Sequence, residues 1–240
     1  RGLMMVESRS VYLFGNRLLH VVGKRIEVLP DTEEIDVIVS SDNNYLTHGG
    51  RGIAASIWKA AGEDLAKYVE ENRIQLSLGD VWQSIPGKID VQSIYHAITV
   101  DYDSNSSISA ADAKQLYIKI FEMAAMSGAE TIALPLLGIG YAGLQKKVVA
   151  NILAEVLREI SAIQSSLAHV YLTCPPNDLK TVCEIMHGKQ VFPLSLRLDE
   201  VSDYLPDDIR TEVQALWKKI CTEDEPDNIL LDALVIFERL

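Results

Sequence analysis

The sequence predicts an α/β protein in three layers, a mixed and largely parallel β-sheet with helices on both faces. Short apolar runs of five to seven residues alternate with longer stretches whose apolar positions recur every three or four residues, and this βαβα succession belongs to a doubly covered sheet. The composition supports one substantial core, because 48% of the 240 residues are hydrophobic. No uninterrupted apolar stretch approaches the roughly 18 to 20 residues that a membrane-spanning helix needs.

The elements follow in order. Val11 to Phe14, Leu18 to Val22 and Ile26 to Leu29 are short β-rich runs, and Asp36-Val-Ile-Val-Ser40 reads as a strand buried on both faces. Ile53, Ile57, Ala61, Leu65 and Val69 repeat every four residues, so one amphipathic helix is expected from Gly52 to Val69. Strands are expected at Gly79 to Ser84 and Ser93 to Tyr102, joined through a Pro86-Gly87 turn. The Ala-rich stretch 109–127 carries Ala113, Leu116, Tyr117, Ile120 and Ala124 at helical spacing. Thr131 to Leu137 is the next strand, a helix begins near Leu144, and strand His169 to Thr173 leads to a helix from about Asn177 to Gly188.

Charge and cysteine content exclude several classes of function. A formal charge of −12 opposes nonspecific binding to nucleic-acid phosphate. Cys174, Cys183 and Cys221 are odd in number and lack CxxC spacing, which argues against a disulfide framework and against a zinc site. With no secretory signal pattern, a cytoplasmic location is expected. The acid concentrates at one end: residues 198–240 hold 12 Asp and Glu against 4 Lys and Arg. The asymmetry places a boundary near Pro193, with a first domain over 1–194 and an acidic helical extension over 195–240. That extension is too short to bury its own core well, so it either packs on the first domain or presents an apolar stripe to a protein partner.

Ligands of open α/β sheets sit beyond the carboxyl ends of the strands, where this chain has two glycine-rich loops. The first, after Val39, runs Ser40-Ser-Asp-Asn-Asn-Tyr-Leu-Thr-His-Gly-Gly-Arg-Gly-Ile-Ala-Ala55 and enters a helix. The second is Leu137-Gly-Ile-Gly-Tyr-Ala-Gly143. Glycine lets a backbone turn with positive φ and approach a ligand closely, and helix N-termini offer unpaired N–H groups and a favourable dipole to an anion. Each loop alone is equally consistent with a tight strand-to-helix connection. Side by side, they can clamp a diphosphate.

At these residues the chain resembles the macro-domain family. Asp36-Val-Ile-Val-Ser-Ser-Asp-Asn43 resembles the strand that usually ends in Asn-Ala-Ala-Asn, and Leu46-Thr-His-Gly-Gly-Arg-Gly-Ile-Ala54 resembles the glycine loop after it. Ala60-Ala-Gly62, Gly79-Asp-Val81, Ile94-Tyr-His-Ala97 and Ile132-Ala-Leu-Pro-Leu-Leu-Gly-Ile-Gly-Tyr-Ala-Gly143 follow in the family's order over roughly residues 10–190. The resemblance implies the macro-domain fold and binding of ADP-ribose or a related NAD-derived nucleotide, with no cofactor or metal. In some branches it implies hydrolysis of ADP-ribose linkages. The ligand-binding residues it implies are Asn43, His48, Gly49, Gly50, Gly52, Ile53 and Ala54 in the first loop. In the second they are Leu137, Gly138, Ile139, Gly140, Tyr141, Ala142 and Gly143.

The chain also departs from the family. Ser40 replaces the first Asn of the motif, while Asn43 keeps the position that typically touches the distal ribose. Hydrolytic branches carry an Asp where Ala54 stands, so catalysis would fall to Asn43 and Asp42, with His48 as a further candidate. The aromatic residue that packs on the ribose is replaced by Ala142, with Tyr141 beside it. The acid that contacts adenine has no clear counterpart, because Gly23-Lys-Arg-Ile26 departs from the Gly-Asp pattern and Asp31 is uncertain in register. Tyr95, His96, Trp58, Trp82, Met123 and Met126 are expected to pack the core. Three functions remain: a non-catalytic reader of ADP-ribose or of an ADP-ribosylated partner, an ADP-ribosyl hydrolase, and an interaction scaffold with a vestigial pocket.

Overall fold

A computed structural model describes residues 9–14, 17–47, 52–72, 74–161 and 165–187. Eight strands form one sheet: β1 (Arg9–Phe14), β2 (Arg17–Val22), β3 (Val37–Asn43), β4 (Val81–Ser84), β5 (Ser93–Asp101), β6 (Ser106–Ser107), β7 (Thr131–Pro135) and β8 (His169–Thr173). Their order is β1-β2-β8-β7-β3-β5-β4, with β6 also paired to β5. The five strands from β2 to β5 run parallel, and β1, β4 and β6 are antiparallel to their neighbours. The sheet is therefore mixed and largely parallel, as its alternating helices require.

Side chains divide between two cores according to the pleat. Val37 and Val39 of β3, Ile132 and Leu134 of β7, and Val170 and Leu172 of β8 face helices α3 (Ala110–Ser127), α4 (Lys146–Ile160) and α5 (Pro176–His187). Ile38, Ala133 and Tyr171, one residue out of phase, face the opposite layer. That layer consists of a 3₁₀ helix (Ile26–Asp31) and helices α1 (Gly52–Ala61) and α2 (Glu63–Glu71). Each fully buried aliphatic side chain contributes about 1.5–3 kcal/mol, and β3, buried on both faces, lies near the middle of the sheet.

Three expectations need correction. Met126, expected in the core, is 88% exposed on the outer face of its helix. Residues 26–31 form a 3₁₀ helix and not a strand: Ile26 and Leu29, three apart, both enter the second core, and Pro30 has no N–H to give a ladder. The helix expected from Gly52 to Val69 is two helices, broken at Gly62 with φ 79°. The apolar period continues across the break because both pieces cover the same face. Other boundaries agree closely, among them α3 with its Ser109–Asp112 capping box and left-handed Gly128 cap.

The lower, N-terminal ends of the central strands are held by Asp36. Its Oδ2 accepts hydrogen bonds from Glu130 N at 2.8 Å, Thr131 N at 2.9 Å and Thr131 Oγ1 at 3.1 Å, and its Oδ1 accepts from Gln92 Nε2 at 2.6 Å. One carboxylate thus gathers the starts of β3, β5 and β7. The opposite ends are left to the loops. The acidic extension over 195–240 and its docking helices lie outside the described residues.

Candidate nucleotide site

Along the carboxyl edge of the sheet, five connections follow the strand order: the Gly23 turn after β2, Cys174 and Pro175 after β8, the second glycine loop after β7, the first after β3, and the Tyr102–Asn105 turn after β5. The two glycine loops are neighbours because β7 and β3 pair directly.

In the first loop, Asn43 lies at the very end of β3, after an irregularity in the β3–β5 register. Its Nδ2 donates to Thr47 O at 2.6 Å, and its Oδ1 accepts from Tyr45 N at 3.0 Å, Thr47 N at 3.3 Å and Thr47 Oγ1 at 3.2 Å. The amide therefore closes an Asx-type turn and shapes the loop from within. Asp42 is buried, with Oδ1 accepting from Trp58 Nε1 at 3.3 Å and Oδ2 paired with His96 Nδ1 at 2.8 Å. His96 Nε2 meets Ser84 Oγ at 2.7 Å, so the chain Trp58–Asp42–His96–Ser84 ties α1, β3, β5 and β4 beneath the loop. Asp42 is thus held inside this network and not at the loop mouth. His48, Gly49 and Gly50, and with them Arg51, lie outside the described residues. Gly52, at φ 79°, opens α1, while Ile53 and Ala54 pack partly on the second core.

The second loop rests on Tyr117. Its hydroxyl donates to Pro135 O at 3.1 Å and accepts from Leu137 N at 2.9 Å, and complete burial raises its pKa well above the usual tyrosine value. Gly138, at φ 77°, is packed so closely that a Cβ would meet Leu144 Cδ1 at 2.9 Å and Ile108 Cδ1 at 3.0 Å. Leu137 is buried, and Ile139 and Ala142 pack against the first core. Gly140 has open space over its Cβ position, and Tyr141 is 75% exposed with its ring edge on Tyr102 at 6.2 Å. Gly143, at φ 69°, returns the chain by donating from its N–H to Gly140 O at 3.1 Å. Helix α4 starts at Lys146, two residues later than the sequence implies, and no side chain caps its first turn.

Beside these loops lies a cavity of about 450 Å³ with mostly apolar walls, between the Gly23 turn, the start of α1 and the end of β8. Gly52, Ile53 and Ser56 form one wall, and Cys174 and Pro175 another. Its size falls in the range of small-molecule sites. Glu27 also lines it, and burial pushes the Cys174 thiol up to about 12. Among the described residues no cluster of three or more His, Cys, Asp or Glu could hold a metal ion, and no helix is long and apolar enough to cross a membrane.

Sequence reasoning missed several residues that shape this edge. Asn44 donates from Nδ2 to Asp103 Oδ2 at 2.9 Å and accepts from Tyr102 N at 3.0 Å, fastening the turn after β5 to the first loop. The turn-forming run Asp101-Tyr-Asp-Ser-Asn105 was the available signal. Tyr117 was visible only as an apolar helix position, and nothing in the sequence singled out Glu27.

Comparisons with known proteins agree with this layout. A family model described as Macro domain matches residues 39–153. The chain is 31% identical over 130 residues to a macro domain-containing protein of Listeria monocytogenes, covering 53% of this chain and 73% of the relative. It is 23% identical over 162 residues to an O-acetyl-ADP-ribose deacetylase of Citrobacter rodentium, covering 66% of this chain and 89% of that enzyme. The fold matches the Oceanobacillus iheyensis macrodomain with ADP at a TM-score of 0.64 and 19% identity, over 75% of this chain and 95% of the other. With glycine loops at adjacent strand ends, the family's motif blocks in order and this degree of likeness, the chain belongs to the macro-domain family.

Proposed function

We propose that this protein binds ADP-ribose or a closely related NAD-derived nucleotide, free or attached to a partner, and leaves it unchanged. The observation that carries the reading is the order along the carboxyl edge of the sheet: an apolar cavity beside β8, two glycine loops on β7 and β3, and polar turns beyond β5. That order suits an elongated ligand with a base at one end, a diphosphate in the middle and a sugar at the other. The Oceanobacillus neighbour was solved with ADP, which has the first two of these parts. The ligand-binding set comprises Asn43, His48, Gly49, Gly50, Gly52, Ile53 and Ala54 with residues 137–143. The proposal includes no cofactor and no membrane partner, and a formal charge of −12 disfavours nucleic acid. The same reading places the protein in the cytoplasm.

Hydrolysis is the second reading, because some relatives are named O-acetyl-ADP-ribose deacetylase. Two features weigh against it. Ala54 supplies no carboxylate, and the Asp42 carboxylate is committed to Trp58 and His96.

Calorimetric titration tests the binding reading. ADP-ribose should bind about tenfold or more tightly than AMP, since AMP lacks the second phosphate and the distal ribose and each charge-assisted hydrogen bond contributes about 1.5–3 kcal/mol. Equal affinities would remove the diphosphate clamp. Turnover of O-acetyl-ADP-ribose that disappears in Asn43→Ala would establish the hydrolase instead.

A further inference from the structure

We infer that the rim beyond β5, built from Tyr45, Asp101, Tyr102, Asp103 and Tyr141, docks the basic peptide segment around an ADP-ribosylated residue of a partner protein; the inference rests on the nucleotide reading above. In that reading the sugar end of the ligand points towards the turn after β5, so whatever is attached to the sugar leaves across this rim. The exposed aromatic side chains gather here. Tyr45 is 40% exposed, Tyr102 47% and Tyr141 75%, and no other Phe, Trp or Tyr among the described residues is exposed. The three come from the first loop, the turn after β5 and the second loop. The Tyr102 and Tyr141 rings meet edge to face, with centroids 6.2 Å apart, and the Tyr45 hydroxyl donates to Asp103 Oδ1. Asn44 holds the same turn through Asp103 Oδ2 and Tyr102 N, so the rim is set before a ligand arrives and binding requires little ordering of it.

The charge of the rim narrows the partner. Asp101 Oδ1 accepts from Asp103 N at 2.9 Å and its Oδ2 from Ser104 Oγ at 2.7 Å, and the Ser104 hydroxyl holds its carboxyl below the usual carboxylate range. The donors to Asp101 and Asp103 are neutral groups, so both carboxylates keep their full charge. Residues 101–113 and 137–145 contain no Lys or Arg, and the next cation, Lys114, is bonded to Glu159. A cation is drawn to the faces of exposed tyrosine rings and to the carboxylates alike. An acidic segment is repelled by the same carboxylates, and an apolar one strips their water without replacing it. Arginine suits both features, since its planar guanidinium stacks on a ring while its N–H groups fork onto a carboxylate.

The test is calorimetric titration of the full chain with free ADP-ribose and with three synthetic peptides of one length. Each peptide carries ADP-ribose on its central residue through a hydrolysis-resistant linkage and is flanked by arginine, serine or glutamate. The arginine-flanked peptide should bind about fivefold more tightly than the serine-flanked one, the joint effect of an exposed cation–π contact and an exposed ion pair, and the glutamate-flanked peptide should bind weakest. The preference should shrink in about 0.5 M NaCl. Tyr102→Leu combined with Asp101→Asn should abolish it while free ADP-ribose binds as it does to wild type, whereas Tyr102→Phe, which keeps the ring, should retain it. Should the double variant fail to fold, Tyr102→Leu alone should reduce the preference. Equal binding of the three peptides, tighter binding of the serine- or glutamate-flanked one, or an arginine preference that survives these substitutions overturns the inference and leaves the nucleotide reading standing. Failure of wild type to bind free ADP-ribose removes that reading and the inference with it.

Discussion

At the scale of single residues, the protein separates groups that shape the site from groups that face a ligand. In the proposed function Gly140 is of the second kind: its backbone has no strained φ and nothing stands over its Cβ position. Gly140→Glu should therefore leave the melting curve unchanged and abolish ADP-ribose binding, because a side chain and a negative charge enter the space of two phosphates. Normal binding by that variant would show that this loop is not the phosphate site. Asp42 is of the first kind. Asp42→Ala strips partners from His96 Nδ1 and Trp58 Nε1 in a buried setting and should cost about 2–4 kcal/mol in urea unfolding. A loss below about 0.5 kcal/mol would mean the network carries little. Cys174 is held protonated at neutral pH, with its pKa near 12, so peptide mapping after iodoacetamide treatment should find it modified only when urea is present. The sequence announces the glycines because their φ freedom is intrinsic to the residue. The duties of Asp42, Asn44 and Tyr117 depend on partners 54, 59 and 20 residues away, which no local pattern encodes.

At the scale of elements, continuous apolar runs and helical spacing made most of the fold legible. Strand β8 and helix α3 fall within a residue of where the apolar pattern places them. The failures share one cause, since an apolar period reports which face is buried and not whether the backbone is continuous. Helix α1 ends at Gly62 while the period runs on, and the 3₁₀ helix imitates a strand over four residues. The break is fixed from outside as well: Lys88 N donates to Ala61 O at 2.9 Å, and a Cβ on Gly87, at φ 61°, would lie 2.2 Å from that oxygen. Gly87→Ala should push the β4–β5 connection off the end of α1 and destabilise by about 2–4 kcal/mol, combining overpacking with positive-φ strain. An unchanged urea midpoint would show that the turn relocates freely. Ser109→Ala, which removes the α3 cap, should cost about 1 kcal/mol. Its partner Asp112 is held below the usual carboxylate range by the Ser109 hydroxyl and then by the Ser109 backbone N–H. That contribution is small at an exposed site, is present above pH of about 4 and is lost as pH falls through the depressed value.

At the scale of the whole molecule, the sheet has a fastened end and a working end. Asp36 gathers β3, β5 and β7 at one, while glycine loops, cavity and turns occupy the other. Replacing Asp36 by alanine should accordingly lower stability by several kcal/mol, with at most a modest change in ADP-ribose affinity for whatever fraction remains folded. A large affinity loss without unfolding would mean that the two ends are coupled.

The strand order has one more consequence, for the timing of assembly on the ribosome. Strand β2 is made well before β8 but pairs with it, so Leu18 waits for His169 and Val22 for Thr173. At about 5–20 residues per second of synthesis, that is a delay of roughly 8–30 s. During it the β1–β2 hairpin is a detached two-stranded ribbon, marginally stable at best in water. Strand β2 is thus locked in long after it is made, and the wall of the cavity at Gly23 to Glu27, which follows β2, is completed only when the end of β8 arrives.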